Sequence, residues 1–205
     1  YGQQPPDLTH VGEDFPGGPD PTEPRWAYGE GKRAAELLCS LFAKQHGLEP
    51  KIARCFAFVG PYLPLGKHFA IGNFIRDGLN EGPIQVKGDG TPFRSYLYAA
   101  DLAIWLWTIL LCGKPGRAYN VGSETDLPIS EVARKVAGIF QLPLEVQIAK
   151  APTPGQQPER YVPSTARARA ELGLRALISL EEAVRRTVRW KRDCGEHFKT
   201  AHEPI

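Results

Sequence analysis

The chain has 205 residues, 42% hydrophobic and 23% charged, an ordinary balance for a globular protein with a real core. Its 25 Lys and Arg against 23 Asp and Glu leave a net charge of +2, which gives no reason to expect a nucleic-acid or membrane surface. No apolar run is long enough for a bilayer, no histidine or cysteine spacing makes a metal motif, and no leader is visible. The expectation is a cytoplasmic protein, with Cys39, Cys55, Cys112 and Cys194 reduced and buried. The start at Tyr1-Gly2, with no Met anywhere, suggests a fragment or a processed product.

Residues 1–25 are rich in Pro, Gly and Asp and predict an irregular loop lying over something else. Trp26 to Gln45 predicts a helix with an apolar stripe of Ala34, Leu37, Leu38, Leu41 and Phe42, stopped by Gly47. Tyr28 and Lys32 stand four apart near its start, one above the other on one face. A lysine beside a phenol favours the phenolate, so the pair suits acid/base chemistry, although so short a motif also arises by chance. Lys51 to Val59 predicts a buried parallel strand, and Gly60 to Pro64 a turn at its C-terminal end, where open α/β sheets bind ligands.

A helix follows over Phe69–Leu79, a strand over Pro83–Val86, a turn at Gly88-Asp89-Gly90 and a strand over Phe93–Tyr98. Ala100–Leu111 predicts a buried helix and Ala118–Val121 a strand. Ser130 is expected to cap a helix to about Phe140, before a strand at Leu144–Ile148. Residues 151–163 form a Pro/Gln-rich linker, Ser164 starts a short helix ended by Gly173, and Ser179 with Glu182 forms a capping box for the last helix. Arg185, Arg186, Arg189, Lys191 and Arg192 look like its solvated face. Alternating strands and helices make the fold class α/β.

In that order the blocks resemble the extended short-chain dehydrogenase/reductases, specifically the NAD-dependent nucleotide-sugar epimerase/dehydratase family, nearest its dTDP-glucose 4,6-dehydratase branch. Tyr28-Gly-Glu-Gly-Lys32 resembles the Tyr-x-x-x-Lys helix, and Arg54 to Pro61 the strand and turn after it. Gly88-Asp89-Gly90 with Arg94 to Ala103 resembles the family's "GDG…RDFVYVDDVA" block. Tyr119 to Gly122 resembles "YNVG", and Ala168–Gly173 with Ser179–Ala183 the closing helices.

The resemblance implies the C-terminal part of a Rossmann-type parallel sheet with a small mixed substrate-binding region. The N-terminal dinucleotide-binding half would be missing, and with it the Gly-rich phosphate loop and a catalytic Ser/Thr. Residues 1–60 would be the remainder of the Rossmann core, 61–193 mainly substrate-binding with 93–122 returning to the core, and 194–205 a frayed tail. It implies Tyr28 as the base that takes a sugar hydroxyl proton while hydride passes to NAD (NADP left open), Lys32 as its partner on the nicotinamide ribose, and Phe58 in the turn lining the nicotinamide. It implies a nucleotide-diphosphate sugar held by Arg94, with Lys67, His68, Val86, Asn120 and Arg160 as further substrate contacts. Ala57 departs from the family's usual asparagine at a phosphate contact. The choice between epimerase and dehydratase stays open. The alternative is a non-catalytic binding or scaffold module of the same fold. An apolar face left by the missing half implies self-association or a homodimer.

Overall fold

The computed structural model describes residues 1–67 and 69–198. Residues 1–23 do not lie over something else; they are stitched to this chain. Val11 is buried and makes a parallel bridge to Pro163, its N–H donating to the Val162 carbonyl and its carbonyl accepting from the Ser164 N–H, both at 2.9 Å. The buried Gln4 side chain accepts from the Val162 N–H at 3.0 Å. After a 3-10 turn at Pro24–Trp26, helix α1 runs Ala27–His46, close to the predicted span. It ends at Gly47, whose φ of 65° lets its N–H reach the Ala43 carbonyl without Cβ strain.

Strand β1 (Ile52–Cys55) pairs in parallel with β6 (Ala118–Val121), Arg54 opposite Asn120, and β2 (Phe58–Val59) pairs in parallel with β5 (Leu97–Tyr98). The stretch predicted as one strand is two because its partner changes at Phe56-Ala57. The Phe56 N–H still donates to the Val121 carbonyl, and the next carbonyl, Ala57, accepts from Leu97. The predicted strand 93–98 splits for the same reason. Its first half, β4 (Phe93–Arg94), lies between β7 (Leu127–Pro128, antiparallel) and β9 (Arg160–Tyr161, parallel). Strand β3 (Ile84–Val86) pairs with β8 (Val146–Ile148). The parallel pairs with interspersed helices bear out the α/β class.

Helices α2 (Ala70–Leu79), α4 (Ile129–Ala137) and α6 (Leu180–Phe198) enclose one core, built on Ile71, Phe74, Ile75, Val132, Val136, Val184 and Val188 against Ile84 and Val86. A second core sets Trp105 and Ile109 of α3 (Ala99–Cys112) against Leu97, Tyr119, Val121, and Ala168 of α5 (Ala166–Leu172). The buried Asp101 carboxylate accepts from the N–H groups of Leu177 and Ile178 at 3.0 and 3.1 Å, tying α3 to the segment before α6. Ser130 does not cap α4, which Pro128 precedes. Half of the capping box on α6 forms, the Glu182 N–H donating to Ser179 Oγ at 3.3 Å, while the Glu182 carboxylate pairs with Arg185 and Arg186. The basic face of α6 is thus partly self-paired, as the helix-face reading expects. α6 runs to Phe198, past the expected boundary at 194; residues 199–205 lie outside the described residues.

Two expectations fail together, that of a buried α3 and that of buried cysteines. α3 is not a buried helix: Ile104, Trp107, Leu110 and Leu111 face outward, Trp107 64% exposed. α1 buries no residue at all, and its stripe of Leu37, Leu38, Leu41 and Phe42 is open. Cys39 and Cys112 lie on these helices, so they and Cys55 are exposed rather than buried. No helix among the described residues is long and apolar enough to cross a membrane.

Candidate functional site

Tyr28 lies in the first turn of α1 and is 78% exposed. The Lys32 ammonium sits 5.2 Å from the Tyr28 ring centre, as the i, i+4 spacing requires. Cys55 ends β1; though it is exposed, partial desolvation raises its thiol above its ordinary pKa, while the Lys32 charge pulls the other way.

The β4–β9 register puts Arg94 opposite Tyr161, so both side chains share one face, and Phe93 opposite Arg160 on the other. Burial raises the Tyr161 phenol, and the charges of Tyr28, Tyr1, Arg94 and Cys55 all act on it. Tyr161 stacks on Phe56 at 4.7 Å, and Tyr1 lies 6.0 Å from the same ring. Phe56, Tyr161 and Tyr1 thus cluster just past the end of β1, with Arg94 on the same face of the β4–β9 pair as Tyr161. Arg94 is only loosely engaged, 3.8 Å from the Glu159 carboxylate, with one nitrogen donating to the Phe93 carbonyl at 2.8 Å.

The turn after β2 makes a shallow depression of about 200 Å³ lined by Phe58, Val59, Gly60, Pro61, Tyr62, Leu63 and Ala99. A Cβ on Gly60 would come within 2.4 Å of the Ala99 Cβ, so only glycine lets β2 approach α3 this closely. Tyr62 holds a left-handed φ of 66° and packs on Trp190 of α6, ring centres 4.5 Å apart.

The remaining predicted residues are not gathered at this point. Val86 is 2% exposed and belongs to the first core. Asn120 is buried, its amide nitrogen donating to the carbonyls of Val11 and Ser164 and its oxygen accepting from the Tyr1 hydroxyl at 2.6 Å. The Arg160 guanidinium points to the opposite face from Arg94, bonded to Asp126 at 2.6 Å and 3.9 Å from the Phe93 ring centre. Lys67 is exposed in the loop before α2, and His68 lies outside the described residues. A separate cleft of about 300 Å³ runs between Gly88–Pro92 and Lys150–Glu159, with Thr91, Lys150, Gln156 and Gln157 among its walls. Sequence reasoning passed over Tyr161 and Phe56. Tyr161 sits in what reads as a linker, since a two-residue strand leaves no alternation to read.

A model of the NAD dependent epimerase/dehydratase family matches residues 1–122. The chain belongs to that family. Among curated members, the UDP-glucuronic acid decarboxylase 1 of Xenopus tropicalis is 29% identical over 192 residues, which are 94% of this chain and 45% of that protein. A probable dTDP-glucose 4,6-dehydratase of Sinorhizobium fredii is 28% identical over 195 residues, 90% of this chain and 54% of its own length. The chain thus spans about half the length of the family members it matches. Among solved structures, the dTDP-glucose 4,6-dehydratase of Streptomyces venezuelae, determined with NAD bound, is 26% identical. It superposes with a TM-score of 0.75 over 93% of this chain and 57% of that one. The UDP-glucose 4-epimerase of Thermotoga maritima, determined with UDP-glucose, shares the fold at a TM-score of 0.72 and 23% identity, covering 81% of this chain and 53% of that one.

Proposed function

We propose that the protein bearing this chain is an NAD-dependent nucleotide-sugar epimerase or dehydratase. The observation that carries this is the Tyr28/Lys32 pair stacked on one face of α1, in a chain of this family. The residues present fit the nicotinamide end of the cofactor: an apolar depression in which Gly60 leaves no side chain in the way, with Lys32 beside Tyr28 as a donor for a ribose hydroxyl. NAD, when bound, accepts hydride from the sugar carbon.

Tyr28 takes the proton from the hydroxyl on that carbon, with the Lys32 ammonium 5.2 Å from its ring centre. The resulting ketone permits either outcome, return of hydride to the other face or elimination across the neighbouring bond. Arg94 on the facing strand is suited to the diphosphate through charge-assisted bonds. Ala57 brings no side-chain donor, which leaves that task more heavily on Arg94. The cleft beyond Glu159 is large enough for part of a nucleoside, and the amides of Gln156 and Gln157 suit a base and ribose. The open leucines of α1 are suited to a second copy or to the rest of the protein.

The test is turnover of UDP-, GDP-, CDP- and dTDP-sugars by the protein at its natural length and by its Tyr28→Phe variant. The expected loss is about 10²–10⁴-fold, the usual worth of a general base. Equal rates for both proteins would leave a binding or scaffold module as the better reading.

A further inference from the structure

The helix that carries Tyr28 and Lys32 buries none of its residues, so apolar packing against the described chain does not set its position. Its strongest tie is polar. Arg54 on β1 donates from Nε and Nη2 to the two carboxylate oxygens of Glu36, at 2.8 and 2.7 Å. Two parallel bonds between planar groups fix rotation as well as distance, which a single contact does not. Among the described residues the other side-chain hydrogen bond from α1 to the rest of the chain is a single one of 3.3 Å, from Arg33 to the Gly17 carbonyl.

The placement of Glu36 gives this pair its consequence. Positions 28, 32 and 36 follow at four-residue steps, so Tyr28, Lys32 and Glu36 form one stripe down the helix. Arg54 is itself held from two more sides. Its third nitrogen donates to the Glu13 carbonyl at 3.0 Å, and its guanidinium lies over the Tyr1 ring at 4.6 Å. It is paired in register with Asn120 and directly precedes Cys55, whose thiol feels the Lys32 charge. A guanidinium anchored this fully is a fixed reference on the sheet, and Glu36 docks the reactive stripe onto it.

We infer that Arg54 is a positioning residue: its fork with Glu36 sets the rotation of α1 and so aims Tyr28 and Lys32. The reaction served rests on the function proposed above; the helix-setting role does not.

The experiment uses the protein at its natural length with Glu36→Gln, Arg54→Lys and the charge-swapped pair Glu36→Arg/Arg54→Glu. A shift of about 1 Å in a reacting group can cost about 100-fold. The single variants are therefore expected to lower kcat about 10- to 100-fold, with KM for the nucleotide sugar within about threefold because Arg94 is untouched. The swapped pair is expected to regain at least half of that loss on a logarithmic scale. Single variants that lower thermal stability yet keep wild-type kcat per folded molecule would overturn the proposal, as would a rise in KM with kcat unchanged. Hydrogen exchange gives a readout independent of turnover. Amides over residues 28–40 are expected to exchange faster in Glu36→Gln and to recover in the swapped pair, and unchanged exchange overturns the helix-setting role. If the wild-type protein turns over no nucleotide sugar, the proposed function fails and exchange alone decides the role of Arg54.

Discussion

Replacing Gly60 by alanine tests the close approach that shapes the turn after β2. The added Cβ would stand 2.4 Å from the Ala99 Cβ, whereas non-bonded carbons rest about 3.5–4.0 Å apart. The two elements must separate by more than about 1 Å. Neither contact is the far end of a flexible side chain: Ala99 opens α3, and the residues next to Gly60 pair with β5. Overpacking of this kind costs about 1–3 kcal/mol. For a chain of this size that is a fall in melting temperature of roughly 2–12 °C. The backbone at Gly60 is not in the left-handed region, so the effect is steric and not conformational. Thermal melts of Gly60→Ala, of Gly60→Ala/Ala99→Gly and of Gly66→Ala isolate it, since a Cβ at Gly66 meets nothing within 4 Å. The double variant should regain most of the loss and Gly66→Ala should melt like the parent. A Gly60→Ala protein that melts with the parent would refute the reasoning.

Arg94→Ala should raise KM for the nucleotide sugar about 10- to 100-fold, the loss of charge-assisted bonds worth about 1.5–3 kcal/mol, and steady-state kinetics checks this. Asn120→Ala removes a donor from the carbonyls of Val11 and Ser164 and the acceptor of the Tyr1 hydroxyl, so limited proteolysis should cut residues 1–23 sooner at a stability cost of about 1–3 kcal/mol. Glu124 is desolvated, which by itself would raise its pKa, but bonds from the Thr165 N–H and from Arg169 hold it below the usual carboxylate value. Its contribution to stability is therefore present above the unfolded value and is lost as pH falls through the folded one. Urea melts should show Glu124→Gln less stable than the parent at pH 7, with the gap closing in acid. The open leucines of α1 and the Trp107 face of α3 should make the 205-residue chain self-associate, and light scattering showing a clean monomer at every concentration would count against it.

Sequence periodicity locates helices well where one face is buried. α2 is recovered nearly to the residue and α4 to within a few residues at each end, because Ile71, Phe74 and Ile75, and Val132 and Val136, are spaced for a single buried stripe. It says less about where a strand changes partner, since Lys51–Val59 is evenly apolar while its hydrogen bonds switch from β6 to β5 at Phe56-Ala57. The Tyr28/Lys32 pair is legible because its geometry is local to one helix. The Arg94–Tyr161 pair is not, because it depends on β4 meeting β9 from 67 positions further along the chain. The opposite aim of Arg160 likewise follows from strand alternation in a two-residue strand too short to advertise itself. The exposure of Cys39 and Cys112 escapes periodicity altogether, because an apolar stripe on a helix gives no indication of whether anything covers it.

The strap at the front of the chain sets an order of events during synthesis. Tyr1 bonds Asn120, and both Gln4 and Val11 bond Val162, so this strap has no seat until some 150 later residues have emerged. At about 5–20 residues per second of elongation, that leaves the strap waiting roughly 10–30 s. Contacts of such span close last because loop entropy must be overcome before they form. Arg54, which leans on Tyr1 and Glu13, is completed at the same moment. The helix bearing Tyr28 would thus reach its final setting only after the segment around Val162 has emerged, so a nascent chain carries its reactive stripe unaimed until then.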